Sequence, residues 1–136
     1  MTIPHHTARV RSGDVELHYR RLGRRGGTPL LIVHGLSYFS WDWLPAAQAL
    51  GAEREVIAMD MRGFGDSTWS PSRDYAVPTM GADILAVLNA AGWERAVLVG
   101  HSMGGRGATW AAAKHPARAA ALALIDYSPE NAPAGS

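Results

Sequence analysis

The chain has 136 residues, a formal net charge of +1 at pH 7 and no cysteine. Hydrophobic residues make up 47% and charged residues 18% of it, which excludes a disordered chain and predicts a single folded domain. The balanced charge argues against a nucleic acid partner, and the lack of cysteine excludes disulfides and thiolate metal ligands.

The first strands are indicated by the spacing of apolar residues. Residues 8–11 and 15–22 alternate apolar with polar side chains on either side of a turn sequence at 12–14. This pattern predicts an antiparallel hairpin, with His18 facing outward from it. The continuous apolar run at 29–33 predicts instead a strand that is covered on both faces, as in a parallel sheet.

The rest of the chain alternates helices with strands. Helical spacing and short apolar runs predict helices at 41–50, 79–91 and 103–114 and strands at 55–59, 96–99 and 121–125. This order predicts an α/β fold, a doubly wound and mostly parallel sheet with an N-terminal antiparallel hairpin. Such sheets bind ligands at the carboxyl ends of their strands, where the sequence places His34, Asp60, Ser102 and Asp126.

Signals for a membrane or a secretory pathway are not found in the sequence. The N-terminal residues lack the apolar core of a signal peptide, and the longest apolar runs, such as 119–125, are too short to span a bilayer. We therefore expect a cytoplasmic protein with no membrane partner.

Residues 100–104 read Gly-His-Ser-Met-Gly and lie between a predicted strand and a predicted helix. A sharp turn from strand to helix holds its serine in a strained, exposed conformation, and larger residues two positions to either side would collide. A serine hydroxyl attacks when it is exposed, deprotonated by a base and faced by donors for an oxyanion. The motif predicts Ser102 as a nucleophile; the alternative is a glycine-rich turn without chemistry.

A second glycine-rich segment, 60–67, carries carboxylates that lack further ligand partners nearby in the sequence. It is better interpreted as a structural turn at the rim of a pocket, held by Arg62, than as a metal or phosphate site. No cofactor and no metal are predicted.

These motifs together resemble the N-terminal part of the α/β-hydrolase family, and most of all its small-ester esterase branch. The blocks that carry the resemblance are 34–36 with Trp43, 60–67 and 100–105, in the order and spacing of the family. The resemblance covers about residues 29–130. It implies an incomplete α/β-hydrolase fold, in which residues 1–136 form a single N-terminal portion without the C-terminal strands, lid and histidine loop.

The resemblance also implies roles for individual residues. Ser102 corresponds to the nucleophile, and the backbone N–H groups of Leu36 and Met103 correspond to the oxyanion hole. Asp126 ends the strand after the nucleophile helix, where some esterases carry the triad acid; the alternative is a strand-end carboxylate that caps a turn.

Four further residues are expected around the substrate: His34, Gly35, Trp41 and His101. His34 is expected to hold the oxyanion loop, and His101 to point away from the nucleophile across the turn. Trp41 follows the oxyanion loop together with Tyr38 and Phe39, and these three are candidates for the lining of an acyl pocket.

No histidine of this sequence is a convincing catalytic base. His115 closes the nucleophile helix about three turns from Ser102, and His5 and His6 belong to the N-terminus. The family's base lies after its last strand. The resemblance therefore implies a serine hydrolase of small carboxylic esters that is truncated and weakly active or inactive alone.

Serine at position 102 argues against dehalogenases and epoxide hydrolases, the family members that use aspartate there. The alternative to an enzyme is a non-catalytic remnant or interaction module that binds a partner through its exposed sheet edge. Because the apolar strand 121–125 is expected at that edge, we also expect self-association or a need for a complementing C-terminal fragment.

Overall fold

The computed structural model describes residues 3–127. Its strands are β1 (His6–Ser12), β2 (Val15–Gly23), β3 (Leu30–Val33), β4 (Glu55–Met59), β5 (Ala96–His101) and β6 (Ala119–Ile125). Its helices are α1 (Leu44–Leu50), α2 (Val77–Ala91) and α3 (Gly104–Lys114), with 3-10 turns at Ser40–Trp43 and Pro116–Arg118. In this part of the chain, no helix has the length and apolar character that crossing a bilayer requires.

The strands form one sheet in the order β1-β2-β4-β3-β5-β6. β2 pairs antiparallel with β1 on one side and with β4 on the other, and β4, β3, β5 and β6 are parallel. The predicted α/β class, with its N-terminal hairpin and mostly parallel sheet, is confirmed. Parallel strands need helical crossovers, and these crossovers bring the carboxyl ends of β3, β4, β5 and β6 to the same edge of the sheet.

Helices cover both faces of the sheet. One face packs against α2 and α3, where Leu31 and Leu98 of the sheet meet Ile84, Leu88 and Ala108 of the helices, all almost fully buried. The other face packs against α1 through a smaller cluster formed by Leu22, Leu30, Ile32, Leu44, Ala47, Val56, Ala58 and Val99. Burial on both faces explains why β3 and β4 read as continuous apolar runs.

The expectation that His18 faces outward is wrong. Its side chain is buried, and its Nδ1 lies 2.7 Å from Oδ2 of Asp60. The reason is that β2 is an interior strand, between β1 and β4, and the loop after β4 folds over the face that His18 occupies. The alternation of apolar and polar residues within the hairpin does not show that a loop distant in the sequence will cover its polar face.

Candidate active site

Ser102 occupies the turn between β5 and α3 with a φ of 51°. This is the left-handed region, which costs a residue with a Cβ about 1 kcal/mol or more. The turn is held on both sides, because the Ser102 N–H donates to the Ile125 carbonyl at 2.9 Å and the Ser102 carbonyl accepts from the Gly105 N–H at 2.9 Å. Hydrogen bonds to β6 and α3 therefore maintain the strained serine at the carboxyl end of the sheet.

Close backbone contacts explain the glycines that flank Ser102. A Cβ on Gly100 would lie 2.5 Å from the Cα of Gly105, and a Cβ on Gly104 would overlap the carbonyl oxygens of Val33 and His34. The start of α3 thus packs directly against the end of β3. This contact brings the positive end of α3 to Ser102 and to the loop that follows β3.

That loop, residues 34–37, passes beside the serine. A Cβ on Gly35 would lie 3.0 Å from the Cβ of Ser102. Ser37 has a φ of 68°, and Leu36 between them is 59% exposed. Within residues 3–127, neither the Leu36 N–H nor the Met103 N–H donates a hydrogen bond, so both N–H groups are free to bind an oxygen of a substrate.

His34 holds this loop from inside. It is completely buried, its Nε2 accepts the Met61 N–H at 2.9 Å, and its Nδ1 lies 2.8 Å from the Gly35 carbonyl oxygen. A ring that accepts at Nε2 carries its proton at Nδ1, so Nδ1–H donates to Gly35. Burial lowers the pKa of His34, and this favours the neutral ring that the two bonds require. Both ring nitrogens are engaged in shaping the loop, which leaves neither for a substrate.

His101 packs beside the loop and forms no hydrogen bond with the Ser102 hydroxyl among residues 3–127. Its ring lies between Tyr38 and Trp43, at centroid distances of 5.2 Å and 5.4 Å. The Nδ1 atom is buried without a hydrogen-bond partner among the described residues, and a Cβ on Gly35 would approach it to 2.6 Å. His101 therefore determines how closely the loop packs against the elbow.

The aromatic residues after the loop form an exposed rim. Tyr38, Phe39 and Trp41 are 46%, 42% and 54% exposed. The Arg20 guanidinium carbon lies 5.2 Å from the centroid of the Trp41 ring, which is within the range of a cation–π contact. Trp41 thus packs against Arg20 and keeps more than half of its surface exposed.

Asp126 follows β6 directly and has a φ of 53°. The preceding residue, Ile125, accepts the Ser102 N–H, so Asp126 is one residue from a direct contact with the elbow. Its side chain is exposed and makes no hydrogen bond within residues 3–127.

No histidine among residues 3–127 forms a hydrogen bond with the Ser102 hydroxyl, and His6 begins β1. His18 pairs with Asp60, and His34 and His101 belong to the loop packing. His5 contacts the Ile3 carbonyl and Arg20, and His115 lies against Trp110 at the far end of α3. No base for Ser102 is found among residues 3–127.

Asp60 braces the loop between β4 and α2. Its oxygens accept the Ser40 N–H at 2.7 Å and the Asp66 N–H at 3.2 Å, in addition to the His18 contact. His18, Asp60 and Asp66 offer ligand atoms within 4.8 Å of one another. Because the Asp60 oxygens are buried and already occupied, this cluster acts as a structural brace, as interpreted for the turn 60–67.

Arg62 is the largest fully buried side chain described. Its Nε and Nη2 donate to Asp83 at 2.7 Å and 3.0 Å, and Nη1 donates to the Asp74 carbonyl at 2.7 Å. Burial opposes the charged form, but Asp83, with help from Asp14 and Asp74, outweighs it and raises the pKa of Arg62. The sequence did not lead to a predicted role for Asp83, although a carboxylate on the apolar face of α2 was the available signal.

Comparisons with known proteins agree with this geometry. The sequence profile of the alpha/beta hydrolase fold matches residues 28–135. Epoxide hydrolase 4 of Mus musculus is 30% identical over 124 residues, which cover 90% of this chain and 34% of that protein. N-formylmaleamate deformylase of Pseudomonas putida is 35% identical over 117 residues, which cover 86% of this chain and 43% of the deformylase.

Solved structures share the fold as well. The crystal structure of epoxide hydrolase A from Mycobacterium thermoresistibile superposes with a TM-score of 0.85 at 29% identity. The match covers 93% of this chain and 40% of that one. The chain therefore spans well under half the length of the relatives it matches.

Proposed function

Because the chain belongs to the alpha/beta hydrolase fold family, we propose that it is the nucleophile-bearing part of a serine hydrolase that cleaves small carboxylic esters. The observation that carries the proposal is the strained Ser102 on the β5–α3 turn, with the free N–H groups of Leu36 and Met103 on the two segments beside it. The relatives named above are hydrolases by their names, which supports hydrolysis in general. The ester substrate is inferred from the nucleophile.

Serine favours an acyl substrate for a chemical reason. Its alkoxide adds to a carbonyl carbon and forms an acyl-enzyme, whose own carbonyl a water molecule then attacks. Attack of the same alkoxide on an epoxide would form an ether, which has no carbonyl for water to attack. An enzyme with Ser102 as its nucleophile therefore turns over acyl substrates, among which we propose esters, and not epoxides, in spite of its similarity to epoxide hydrolases.

In the proposed reaction, each step uses one of the groups described above. A base removes the Ser102 proton, Oγ bonds to the ester carbon, and the carbonyl oxygen becomes an oxyanion bound by the Leu36 and Met103 N–H groups. The alcohol leaves with the proton that the base returns. Water, deprotonated by the same base, releases the carboxylic acid and regenerates Ser102.

The base is a histidine that residues 3–127 do not place near Ser102, and Asp126 is proposed as the acid that orients it. Loss of the base from a serine triad reduces turnover by about a millionfold. We therefore expect the 136-residue chain to form the acyl-enzyme slowly and to turn over poorly unless a histidine-bearing polypeptide complements it.

A fluorophosphonate probe tests the nucleophile without requiring turnover. The purified chain is incubated with the probe, and the labelled peptide is identified by mass spectrometry. We expect slow labelling at Ser102 that is lost in Ser102→Ala and in chain unfolded by urea. Labelling of the parent chain and of Ser102→Ala at equal rates would contradict the proposal. The absence of any labelling of the folded parent chain would contradict it as well.

Ester preference is tested separately. A longer protein that contains this chain, or the chain mixed with a complementing C-terminal polypeptide, is assayed with p-nitrophenyl acetate and with styrene oxide. We expect hydrolysis of the ester alone, abolished by Ser102→Ala. Epoxide hydrolysis that depends on Ser102 would overturn the ester assignment.

A further inference from the structure

Gly105 is the third glycine of the segment 100–105, and the elbow itself does not require it. A nucleophile elbow needs small residues two positions to either side of the serine, at Gly100 and Gly104. Gly105 instead packs against the residues that follow β6: a Cβ there would lie 2.6 Å from Cδ2 and 2.8 Å from Cγ of Tyr127. The Tyr127 ring therefore lies on the Cα of Gly105, and a side chain at position 105 would displace it.

Gly105 also links the Tyr127 ring to the nucleophile. Its N–H donates to the Ser102 carbonyl at 2.9 Å, and its Cα lies against Gly100, whose Cβ would approach it to 2.5 Å. The first turn of α3 is thus packed between β5 and Tyr127. Because these contacts are made by the backbone of Gly105, a shift of the Tyr127 ring is expected to move the turn at Ser102.

Asp126 lies between two contacts with the elbow. The residue before it, Ile125, accepts the Ser102 N–H at 2.9 Å, and the residue after it, Tyr127, packs on Gly105. Asp126 itself is left-handed, with a φ of 53°. Aspartate adopts this region more readily than most residues with a Cβ, but only glycine adopts it without strain. The contacts on both sides therefore maintain a strained turn that carries an exposed carboxylate, as is typical of functional positions.

We propose that Tyr127 is a positioning residue, whose ring, packed on Gly105, fixes the turn at Asp126 against the elbow and so keeps the acid and Ser102 at a constant spacing. The role of Asp126 as the acid rests on the function proposed above, whereas the contact is independent of it. A displacement of about 1 Å can slow a reaction by about a hundredfold. Because ring carbons make the contact, phenylalanine should replace Tyr127 and alanine should not.

A double-mutant cycle in the 136-residue chain tests the contact. The methyl group of Gly105→Ala needs the space that the Tyr127 ring occupies, so this substitution should be strongly destabilising in the parent chain and less so in Tyr127→Ala. Unfolding by urea measures both. Gly107→Ala is the matched control on the same helix, because its Cβ would lie 3.3 Å from Met80 and not against Tyr127; its cost should add to that of Tyr127→Ala.

Amide hydrogen exchange tests the effect on the elbow without requiring turnover. The Ser102 N–H should exchange at least about tenfold faster in Tyr127→Ala, because its bond to Ile125 is then held less firmly. In Tyr127→Phe it should exchange as in the parent chain. The amides of β4, which is two strands away from β5 in the sheet, are the internal control, since a general loss of stability would accelerate their exchange as well.

The ester assay described above tests whether Tyr127 acts through Asp126. Tyr127→Ala should lower kcat by at least about tenfold with little change in KM, and Tyr127→Phe should retain the parent kcat. Asp126→Asn removes the carboxylate but keeps a residue that suits a left-handed turn. In this background, Tyr127→Ala should cause little further loss of turnover.

Three results would overturn the positioning role. The first is additivity of Gly105→Ala and Tyr127→Ala in the unfolding experiment, and the second is a Tyr127→Phe chain that behaves like Tyr127→Ala. The third is an undiminished effect of Tyr127→Ala in the Asp126→Asn background. Unchanged turnover in Asp126→Asn alone would instead refute the acid of the proposed function, and the positioning role would fall with it, although the contact between Tyr127 and Gly105 would remain.

Discussion

Gly35 and Ser102 are in direct contact: a Cβ on Gly35 would lie 3.0 Å from the Cβ of Ser102. The same Cβ would approach Nδ1 of His101 to 2.6 Å. The loop that carries the Leu36 N–H is thus packed onto the elbow without an intervening side chain. In the proposed reaction, this packing determines the distance between the nucleophile and the oxyanion donors.

Gly35→Ala should therefore reduce reactivity more than stability. The added methyl displaces either the His101 ring or the loop, and a shift of this size near a reacting group is expected to slow labelling of Ser102 by at least about tenfold. Fluorophosphonate labelling rates measure the effect. Gly92→Ala is the control, since Gly92 has a φ of 75° and open space around it; it should cost about 1 kcal/mol of stability and leave labelling unchanged. If Gly35→Ala and Gly92→Ala were labelled at equal rates, the proposed role of the contact between Gly35 and Ser102 would be contradicted.

Ser102→Gly should be more stable than Ser102→Ala. Both variants lack the hydroxyl, but alanine retains the strain of a φ of 51° and glycine does not. We expect a difference of about 1 kcal/mol in the free energy of unfolding by urea. A glycine variant no more stable than the alanine variant would show that the elbow carries little strain.

Asp83→Asn should be strongly destabilising. It removes the buried carboxylate that pairs with the Arg62 guanidinium and leaves only the partly exposed Asp14 at 3.3 Å, and breaking one side of a buried ion pair costs about 3 to 5 kcal/mol. Glu16→Gln tests the exposed pair with Arg9, which has a separation of 3.3 Å and side chains more than 40% exposed; its cost should stay below about 1 kcal/mol. Urea unfolding of the two variants compares them, and similar costs would contradict the account of Arg62.

Stability should fall as the pH is lowered from about 6.5 toward 5. Because burial lowers the pKa of His34, the unfolded chain binds a proton in this range that the folded chain excludes. The free energy of unfolding then decreases by up to about 1.4 kcal/mol per pH unit. The carboxyl pKa of Glu55 is lowered from 4.5, so its effect begins only at more acidic pH.

The comparison variant for this pH dependence is His34→Gln, which does not titrate. Its unfolding free energy should be lower at pH 7 and should vary less between pH 6.5 and 5. If its slope equalled that of the parent chain, another group would be responsible.

Much of the fold was predictable because its signals are local. The apolar run at 29–33 indicated a strand covered on both faces, the run at 55–59 indicated a further strand, and the glycines around Ser102 indicated a turn that only small residues allow. Each of these signals depends on a residue and its immediate neighbours in the chain. The positions of the strands, and the residue at the elbow, follow from the sequence for this reason.

The tertiary structure alone decided which side chains meet. It buried His18 against Asp60, because β2 lies inside the sheet and a loop from 42 residues later in the sequence covers it. It paired Arg62 with Asp83, and it brought Gly35 against Ser102 across the packed ends of β3 and β5. The sequence by itself determined where each element forms, since periodicity and turn chemistry are local; only the packing of distant elements could determine what each element covers.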